Sequence, residues 1–271
     1  MSTKPLAIIA GAGTGTGVSI AHRFSRAYNV IILSRSSASI DPVISAVEAS
    51  GGAAYGIPTD VSSEASVTAA FKAIKAKYPG SPTAAAVFNA GSWNRAPFLE
   101  TALDDWERVL GIQGPVTRGA GSRGAFLFSK ATIPLLLESK HLEYPPTLIF
   151  TGATASVKAS ANFTAFAAGK WATRALSQGL AKEFGPQGVH VSHAIIDGII
   201  DVPGTKEWTF DDEDAKISPD AVSLVSPNIR DRRGELTVGH GKIADAYWHL
   251  HTQPRTTFTW ELDVRPYVEK W

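Results

Sequence analysis

The 271-residue chain contains no cysteine. Disulfides, thiolate zinc sites and cysteine nucleophiles are therefore excluded. It also lacks an excess of charge of either sign, because 26 basic residues balance 25 acidic ones and leave a net charge of +1. Such a chain has no bulk field that would attract nucleic acid or an anionic membrane, so we expect neither as a partner.

Long apolar runs are also missing. No stretch approaches the roughly 20 residues that a helix needs to span a bilayer. The first apolar stretch, residues 6–10, is too brief for the core of a signal peptide, so we expect a cytoplasmic protein. What remains is an ordinary globular composition, 44% hydrophobic and 19% charged, in a chain long enough to bury a full two-sided core.

Short apolar runs alternate with helical segments along the chain. The predicted strands are residues 6–10, 30–33, 54–57, 84–88, 147–150, 189–196 and 257–264. The clearest early helices are predicted at 42–50 and from Ser62 or Ser63 to about Tyr78. Continuous apolar strands suit a parallel sheet covered on both faces. The pattern predicts a doubly wound, Rossmann-type α/β fold with about seven strands, in a single domain over residues 1–271.

A glycine-rich turn separates the first strand from the first helix. Glycine permits a tight turn and lets backbone N–H groups approach a pyrophosphate, which the positive end of the following helix then faces. The turn predicts a dinucleotide site, and a plain turn is the alternative. Its candidate cofactor residues are Gly11, Gly13, Thr14, Gly15, Thr16 and Gly17.

The second predicted strand ends at Leu33 and is followed by Ser34, Arg35 and Ser36, without an acidic residue. An acid at this position would accept the ribose 2′-hydroxyl of NAD, whereas an arginine beside small hydroxyl residues suits the 2′-phosphate of NADP. The sequence therefore favours NADP(H) over NAD(H), with Arg35 as the discriminating residue. The alternative is that Arg35 is an ordinary solvated side chain.

Further motifs follow in the order found in the short-chain dehydrogenase/reductase family, which this chain resembles over nearly its whole length. The spacing of Gly11, Gly15 and Gly17 matches, and Lys170 lies in a helix after the fifth strand. The resemblance implies a small-molecule substrate and a homodimer or homotetramer formed by pairing helices. It also implies a set of further cofactor residues: Asp60, which would contact the adenine, Val61, Asn89, Ala90, Gly91, Lys170, Gly198 and Ile199.

The catalytic end departs from the pattern of that family, whose members use Asn, Ser, Tyr and Lys. Lys170 is kept, but Phe166 stands at the Tyr position, Ala153 at the Ser position and Gln113 near the Asn position. A phenyl ring cannot donate a proton, so the usual proton transfer is lost. Hydride transfer needs only a positioned nicotinamide and an electrophile. The chain is similar to a divergent subgroup with Phe in place of the Tyr.

Other side chains could serve this end of the site. Thr154 follows the fifth strand and is a candidate for hydrogen bonding to a substrate, although loop hydroxyls also close local turns. Asp197 is a replacement acid if burial raises its pKa, or else it caps a turn. His249 and His251 lie two apart on a predicted helix and face different ways, so no metal site is expected.

Two functions from different classes remain open. The leading prediction is an NADP(H)-dependent oxidoreductase with a degenerate catalytic tetrad. The alternative is a catalytically inactive, cofactor-binding pseudoenzyme that acts as a scaffold or sensor. The missing acid at position 166 is the feature that separates the two.

Two segments interrupt the pattern and are predicted insertions. Residues 114–123 are rich in Gly and break a helical pattern beside the Asn position, where a lid is one interpretation. Residues 222–242 separate a helix start at Ser218 and Pro219 from the apolar body that begins at Ile243.

We hypothesise that residues 222–242 are a translated intron. Codons able to encode Val222-Ser223, Leu236-Thr237 and Lys242 match a donor site, a branch point and an acceptor site. We expect an exposed loop that adds little to stability, so its deletion should leave folding intact or improve it, as thermal unfolding would measure. Transcripts that uniformly retain the segment, or residues packed into the core or the cofactor pocket, would contradict the hypothesis.

Overall fold

Seven parallel strands form the main sheet of the computed structural model, which describes residues 4–13, 15–110, 122–201, 205, 207–210, 215–217 and 242–269. The strands are β1 (Leu6–Ala10), β2 (Asn29–Ser34), β3 (Ala53–Pro58), β4 (Thr83–Phe88), β5 (Thr147–Thr151), β6 (His190–Ile196), β7 (Ile199–Ile200), β8 (Lys216–Ile217) and β9 (Glu261–Val264). The helices are α1 (Thr16–Ser25), α2 (Ser37–Ala49), α3 (Glu64–Lys77), α4 (Leu103–Leu110), α5 (Ser122–Glu138), α6 (Thr164–Phe184) and α7 (Lys242–His251).

The order of the strands in the sheet is β3-β2-β1-β4-β5-β6-β9, and β7 and β8 form a separate parallel pair. Strands β1, β4 and β6 are buried along their whole length. The apolar run of β1 predicts this burial, whereas β6 also buries the polar residues His190, Ser192 and His193. One core, which includes Ile9 and Phe24, lies under α1 and α7. A second core, which includes Ile8 and Phe150, lies on the other face under α5 and α6. The predicted doubly wound α/β fold is confirmed.

The sequence order of the strands reverses at β1, because β2 and β3 lie on one side of it and β4, β5 and β6 on the other. The register aligns the carboxyl ends of these strands, because Ala10 pairs with Leu33 on one side and with Phe88 on the other. Ligands of doubly wound sheets bind in the crevice at this reversal. The fold therefore places the turns after β1, β2 and β4 at a single site.

Most predicted boundaries differ from the structure by one or two residues, and two differ by four or more. β9 begins at Glu261 and not at residue 257, because the Gln253 side chain bonds both the backbone N–H and the Oγ1 of Thr259 and holds that stretch in a loop. α2 begins at Ser37 and not at residue 42, because Ser39 and Ile40 already donate to the carbonyl of Ser36. Pro42, which the sequence pattern predicts as the start of the helix, lies inside it.

The two predicted insertions lie mostly outside the described residues, which omit 111–121 and 218–241. Ser122 and Arg123, the last two residues of the first insertion, already belong to α5, and the Arg123 Nε donates to the carbonyl of Ser62 at 2.8 Å. Lys242, the last residue of the second, is the first residue of α7. None of the helices in the described part of the chain is long and apolar enough to cross a membrane.

Candidate cofactor site and active site

The glycine turn after β1 packs directly against β4. Gly11 has a φ of +84°, and a Cβ at this position would lie 2.4 Å from the backbone N and Cα of Ala90. A Cβ at Gly17 would lie 2.5 Å from the Cα of Ala12. Gly13, in contrast, has open space on that side. The turn is therefore tight where it meets the protein and open where a ligand could approach.

An open groove follows the carboxyl ends of β1, β2 and β4. Four predicted segments meet in it, although they are separated by 20 to 30 residues in the sequence. Its walls are formed by Gly11, Ala12, Gly13, Leu33, Ser34, Arg35, Ser39, Thr59, Asp60, Val61, Asn89, Ala90, Gly91 and Ser92. Gly15 precedes α1 as its N-cap, Thr16 and Gly17 form its first turn, and Thr14 lies outside the described residues.

The far end of this groove carries the residues expected at the adenosine end of a dinucleotide. Arg35 is exposed and lines the groove between Ser34 and Ser39. The Asp60 carboxylate is fixed, since its Oδ1 accepts from both the backbone N–H and the hydroxyl of Ser62, at 3.0 and 2.6 Å. Arg35 and an oriented Asp60 carboxylate therefore line the same groove.

A chain of hydrogen bonds holds the floor of the groove. The Asn89 Nδ2 donates to the carbonyl of Gly11 at 2.8 Å, and the Asn89 Oδ1 accepts from the Thr151 hydroxyl at 2.9 Å. The Thr151 Oγ1 in turn accepts from the Tyr247 hydroxyl at 2.7 Å. The sequence suggested Asn89, but nothing in it connected Tyr247 to this site.

Lys170 lies beside this floor in a second, smaller cavity, which Phe166, Gly91, Ser92 and Thr151 also line. The Lys170 Nζ donates to the Thr151 carbonyl at 2.9 Å and lies 5.8 Å from the centre of the Phe166 ring. Burial lowers the pKa of Lys170 to about 8. Among the described residues that line this cavity, Lys170 is the one able to exchange a proton near neutral pH.

Thr154 and Asp197 meet at the end of β6. The Thr154 hydroxyl donates to the Asp197 Oδ1 at 2.5 Å, and the Arg265 Nη2 lies 3.2 Å from the Asp197 Oδ2. Asp197 is only 5% exposed, so this ion pair is largely shielded from solvent. Both oxygens of the Asp197 carboxylate therefore have partners, Thr154 on one and Arg265 on the other.

The turn that carries Ala153 rests on a buried histidine. A Cβ at Gly152 would lie 2.5 Å from the His193 Cε1, so only glycine lets the imidazole pack this close. The His193 Nδ1 lies 3.1 Å from the Glu261 Oε2, and Arg174 binds the same carboxylate through two hydrogen bonds of 2.6 and 2.8 Å. Burial lowers the pKa of His193 to about 4, so this ring is neutral at pH 7. The sequence gave no signal for this cluster, because it joins β6, α6 and β9.

The two histidines on α7 are separated, as the helical spacing indicates. His249 is exposed, whereas His251 is buried and lies 2.7 Å from the Tyr28 hydroxyl through its Nε2 and 3.0 Å from the Thr147 Oγ1 through its Nδ1. In the described part of the chain, no three His, Asp or Glu side chains are grouped to hold a metal ion.

The fold and the glycine-lined groove define a nucleotide-binding α/β protein. Residues 5–213 match the family model of the short chain dehydrogenases. The chain belongs to the short-chain dehydrogenase/reductase family, whose fold binds NAD(P).

Several relatives span most of the chain. The short-chain dehydrogenase/reductase eriH of Hericium erinaceus is 29% identical over 211 residues, which are 76% of this chain and 78% of the relative. An uncharacterized oxidoreductase of Staphylococcus aureus (strain USA300) is 24% identical over 97% of this chain and 98% of its own length.

Solved structures agree with this family. A short-chain dehydrogenase from Rhodopseudomonas palustris superposes with a TM-score of 0.71 at 26% identity, covering 97% of this chain and 99% of that one. A metagenomic short-chain oxidoreductase in complex with NADP superposes with a TM-score of 0.70 at 20% identity, covering 98% and 99%. The second likeness establishes the fold alone.

Proposed function

We propose that the protein is an NADP(H)-dependent oxidoreductase that acts on a small molecule without a tyrosine acid. The observation that carries the proposal is that one groove joins the glycine turn, Arg35, Asp60 and Asn89, and leads to Lys170. A nicotinamide nucleotide, when bound, supplies or accepts the hydride.

The residues present fit such a nucleotide. The open side of Gly13 and the N-terminus of α1 would hold the pyrophosphate. Arg35, Ser34 and Ser39 would hold the 2′-phosphate, and Asp60 with Val61 the adenine. Ala90 and Gly91 would form the floor, Lys170 would hold the nicotinamide ribose, and Gly198 and Ile199 complete the proposed set.

Lys170 also has a proposed chemical role. Phe166 has no exchangeable proton, Ala153 has no hydroxyl, and the hydroxyl of Thr154 is bound to Asp197. A lysine whose pKa is about 8 can both donate and accept a proton near neutral pH. We therefore assign to Lys170 the proton exchange that the family assigns to its tyrosine, with Thr154 beside the substrate.

The proposed substrate entrance is aromatic and includes Phe163, three residues before Phe166. The Trp93 ring contacts Phe163 with centroids 5.9 Å apart and Trp208 with centroids 6.4 Å apart. Trp93 is 53% exposed, so much of its surface remains available. Such walls favour a flat, apolar substrate over a small polar one.

Assembly and location remain proposals. Phe126 on α5 and Trp171 on α6 are 50% and 45% exposed, and both belong to helices expected to pair between subunits. Exposed aromatic rings on such helices support a homodimer or homotetramer. A cytoplasmic location stays a prediction from the sequence.

A second candidate is a pseudoenzyme that binds the cofactor without turning it over. Phe166 and Ala153 favour it, because two groups of the usual tetrad are absent. The test is oxidation of NADPH over a panel of carbonyl and imine substrates, measured alongside NADPH binding. Turnover of any substrate supports the oxidoreductase, and tight binding without turnover across the panel supports the pseudoenzyme.

Replacing Arg35 with Asp should reverse the cofactor preference, since a carboxylate repels the 2′-phosphate and accepts the 2′-hydroxyl. Titration of NADPH and NADH into both proteins measures this. The exposed Lys75→Asp on α3 is the control, because it makes the same change of charge away from the groove. Equal affinities of the starting protein for the two nucleotides would contradict the assignment of Arg35.

A further inference from the structure

Tyr247 reaches the active site from the far side of the sheet. It lies on α7 and is completely buried in the core that contains Ile9 and Phe24. Lys170 and Phe166 belong to α6, which packs on the opposite face. The Tyr247 hydroxyl donates a hydrogen bond to Thr151, the last residue of β5, at the edge of the sheet where its two faces meet.

The hydrogen bonds from Tyr247 run in one direction. Tyr247 donates to Thr151, Thr151 donates to the Asn89 Oδ1, and the Asn89 Nδ2 donates to the carbonyl of Gly11. Burial raises the pKa of Tyr247, so its hydroxyl stays protonated at neutral pH and can donate. The Thr151 oxygen therefore accepts a hydrogen bond from Tyr247, and the Thr151 hydroxyl proton points to Asn89.

This order fixes the amide of Asn89. If the amide turned over, its oxygen would face the carbonyl of Gly11 and its NH₂ group would face the proton of Thr151. Both pairs are repulsive, so the Tyr247 hydroxyl stabilises one orientation. The same Thr151 accepts from Lys170 through its carbonyl. One residue therefore joins the glycine turn, the groove floor and Lys170.

We propose that Tyr247 is a positioning residue for the cofactor site, acting through Thr151 and Asn89 on the glycine turn and without contact to the nucleotide itself. This inference rests on the proposed function, because its effect is on the binding of the dinucleotide. It assigns to α7 a role in cofactor affinity besides its packing role.

The chain contains a matched control for this hydroxyl. Tyr28 is 7% exposed in the same core, and its hydroxyl lies 2.7 Å from the His251 Nε2. Tyr247→Phe and Tyr28→Phe each delete one buried hydrogen bond and keep the ring. NADPH affinity and the midpoint of thermal unfolding are measured for the full chain and both variants.

Both variants should unfold at a lower temperature, but only Tyr247→Phe should raise the Kd for NADPH. The expected increase is about three- to tenfold, the range for one lost neutral hydrogen bond. In a Thr151→Val background, Tyr247→Phe should cause no further loss of affinity, because the link is already broken. If Tyr247→Phe fails to fold, Thr151→Val alone tests the same link and should show the same increase.

Equal NADPH affinity in Tyr247→Phe and the starting protein, or an equal loss in Tyr28→Phe, would overturn the positioning role and leave the proposed function intact. A starting protein that binds neither NADPH nor NADH would overturn the proposed function, and the positioning role with it.

Discussion

Replacing Gly11 with alanine is expected to abolish dinucleotide binding and to lower the free energy of unfolding by about 2–5 kcal/mol. Two costs combine at this position. The φ of +84° is unfavourable for any residue with a Cβ, and that Cβ would lie 2.4 Å from backbone atoms of Ala90, which cannot rotate away. The turn must then separate from β4, and the carbonyl of Gly11 loses its bond from Asn89. Calorimetric titration with NADPH and chemical denaturation measure the two effects.

Gly51 provides the matched control for Gly11. Its φ is +80°, but no atom lies within 4 Å of the place where its Cβ would be. Gly51→Ala should therefore show the backbone strain alone, about 1–2 kcal/mol, with NADPH affinity unchanged. If Gly11→Ala bound NADPH as tightly as Gly51→Ala, the glycine turn would not be the phosphate site.

Lys170→Ala is expected to weaken NADPH binding by about 1–3 kcal/mol, the range for losing a charged hydrogen-bond partner, and to abolish turnover. Lys170 lines the second cavity, beside Phe166, and donates to the carbonyl of Thr151. It is the proposed ligand of the nicotinamide ribose and the proposed proton carrier. The exposed Lys182→Ala, at the last turn of the same helix, is the control that should leave both quantities unchanged.

The pH dependence of binding gives a second test of Lys170. Its pKa is lowered to about 8, so its ammonium group loses a proton well below the pH at which a free lysine would. NADPH affinity should therefore fall as the pH rises through about 8 in the starting protein, and this fall should be missing in Lys170→Ala. Identical pH profiles for the two proteins would show that Lys170 does not hold the cofactor.

The parts of the site that the sequence predicted are those formed within single segments. The glycine turn could be found because strand, turn and helix follow one another between residues 6 and 25. The cavity that Phe166 and Lys170 share could be expected, since four residues make about one turn of a helix. Parallel strands then bring the segments together at one edge, so the general place of the groove followed from the fold.

The parts that the sequence did not predict depend on contacts between distant segments. Tyr247 meets Thr151 across 96 residues, and Glu261 meets Arg174 across 87. A buried tyrosine in an amphipathic helix has the pattern of an ordinary core residue, so its hydroxyl gave no signal. The sequence suggested that Thr154 could bind a substrate. The structure shows that its hydroxyl donates to Asp197, which directly follows β6, and the sequence gave no sign of this contact.

The most direct test of the account is a crystal structure of the protein with NADP⁺ bound. We predict the pyrophosphate against the glycine turn at Gly13, the 2′-phosphate against Arg35, and the nicotinamide ribose within hydrogen-bonding distance of Lys170. A nucleotide bound elsewhere, or one in this groove whose 2′-phosphate and ribose lie away from Arg35 and Lys170, would contradict the proposed function.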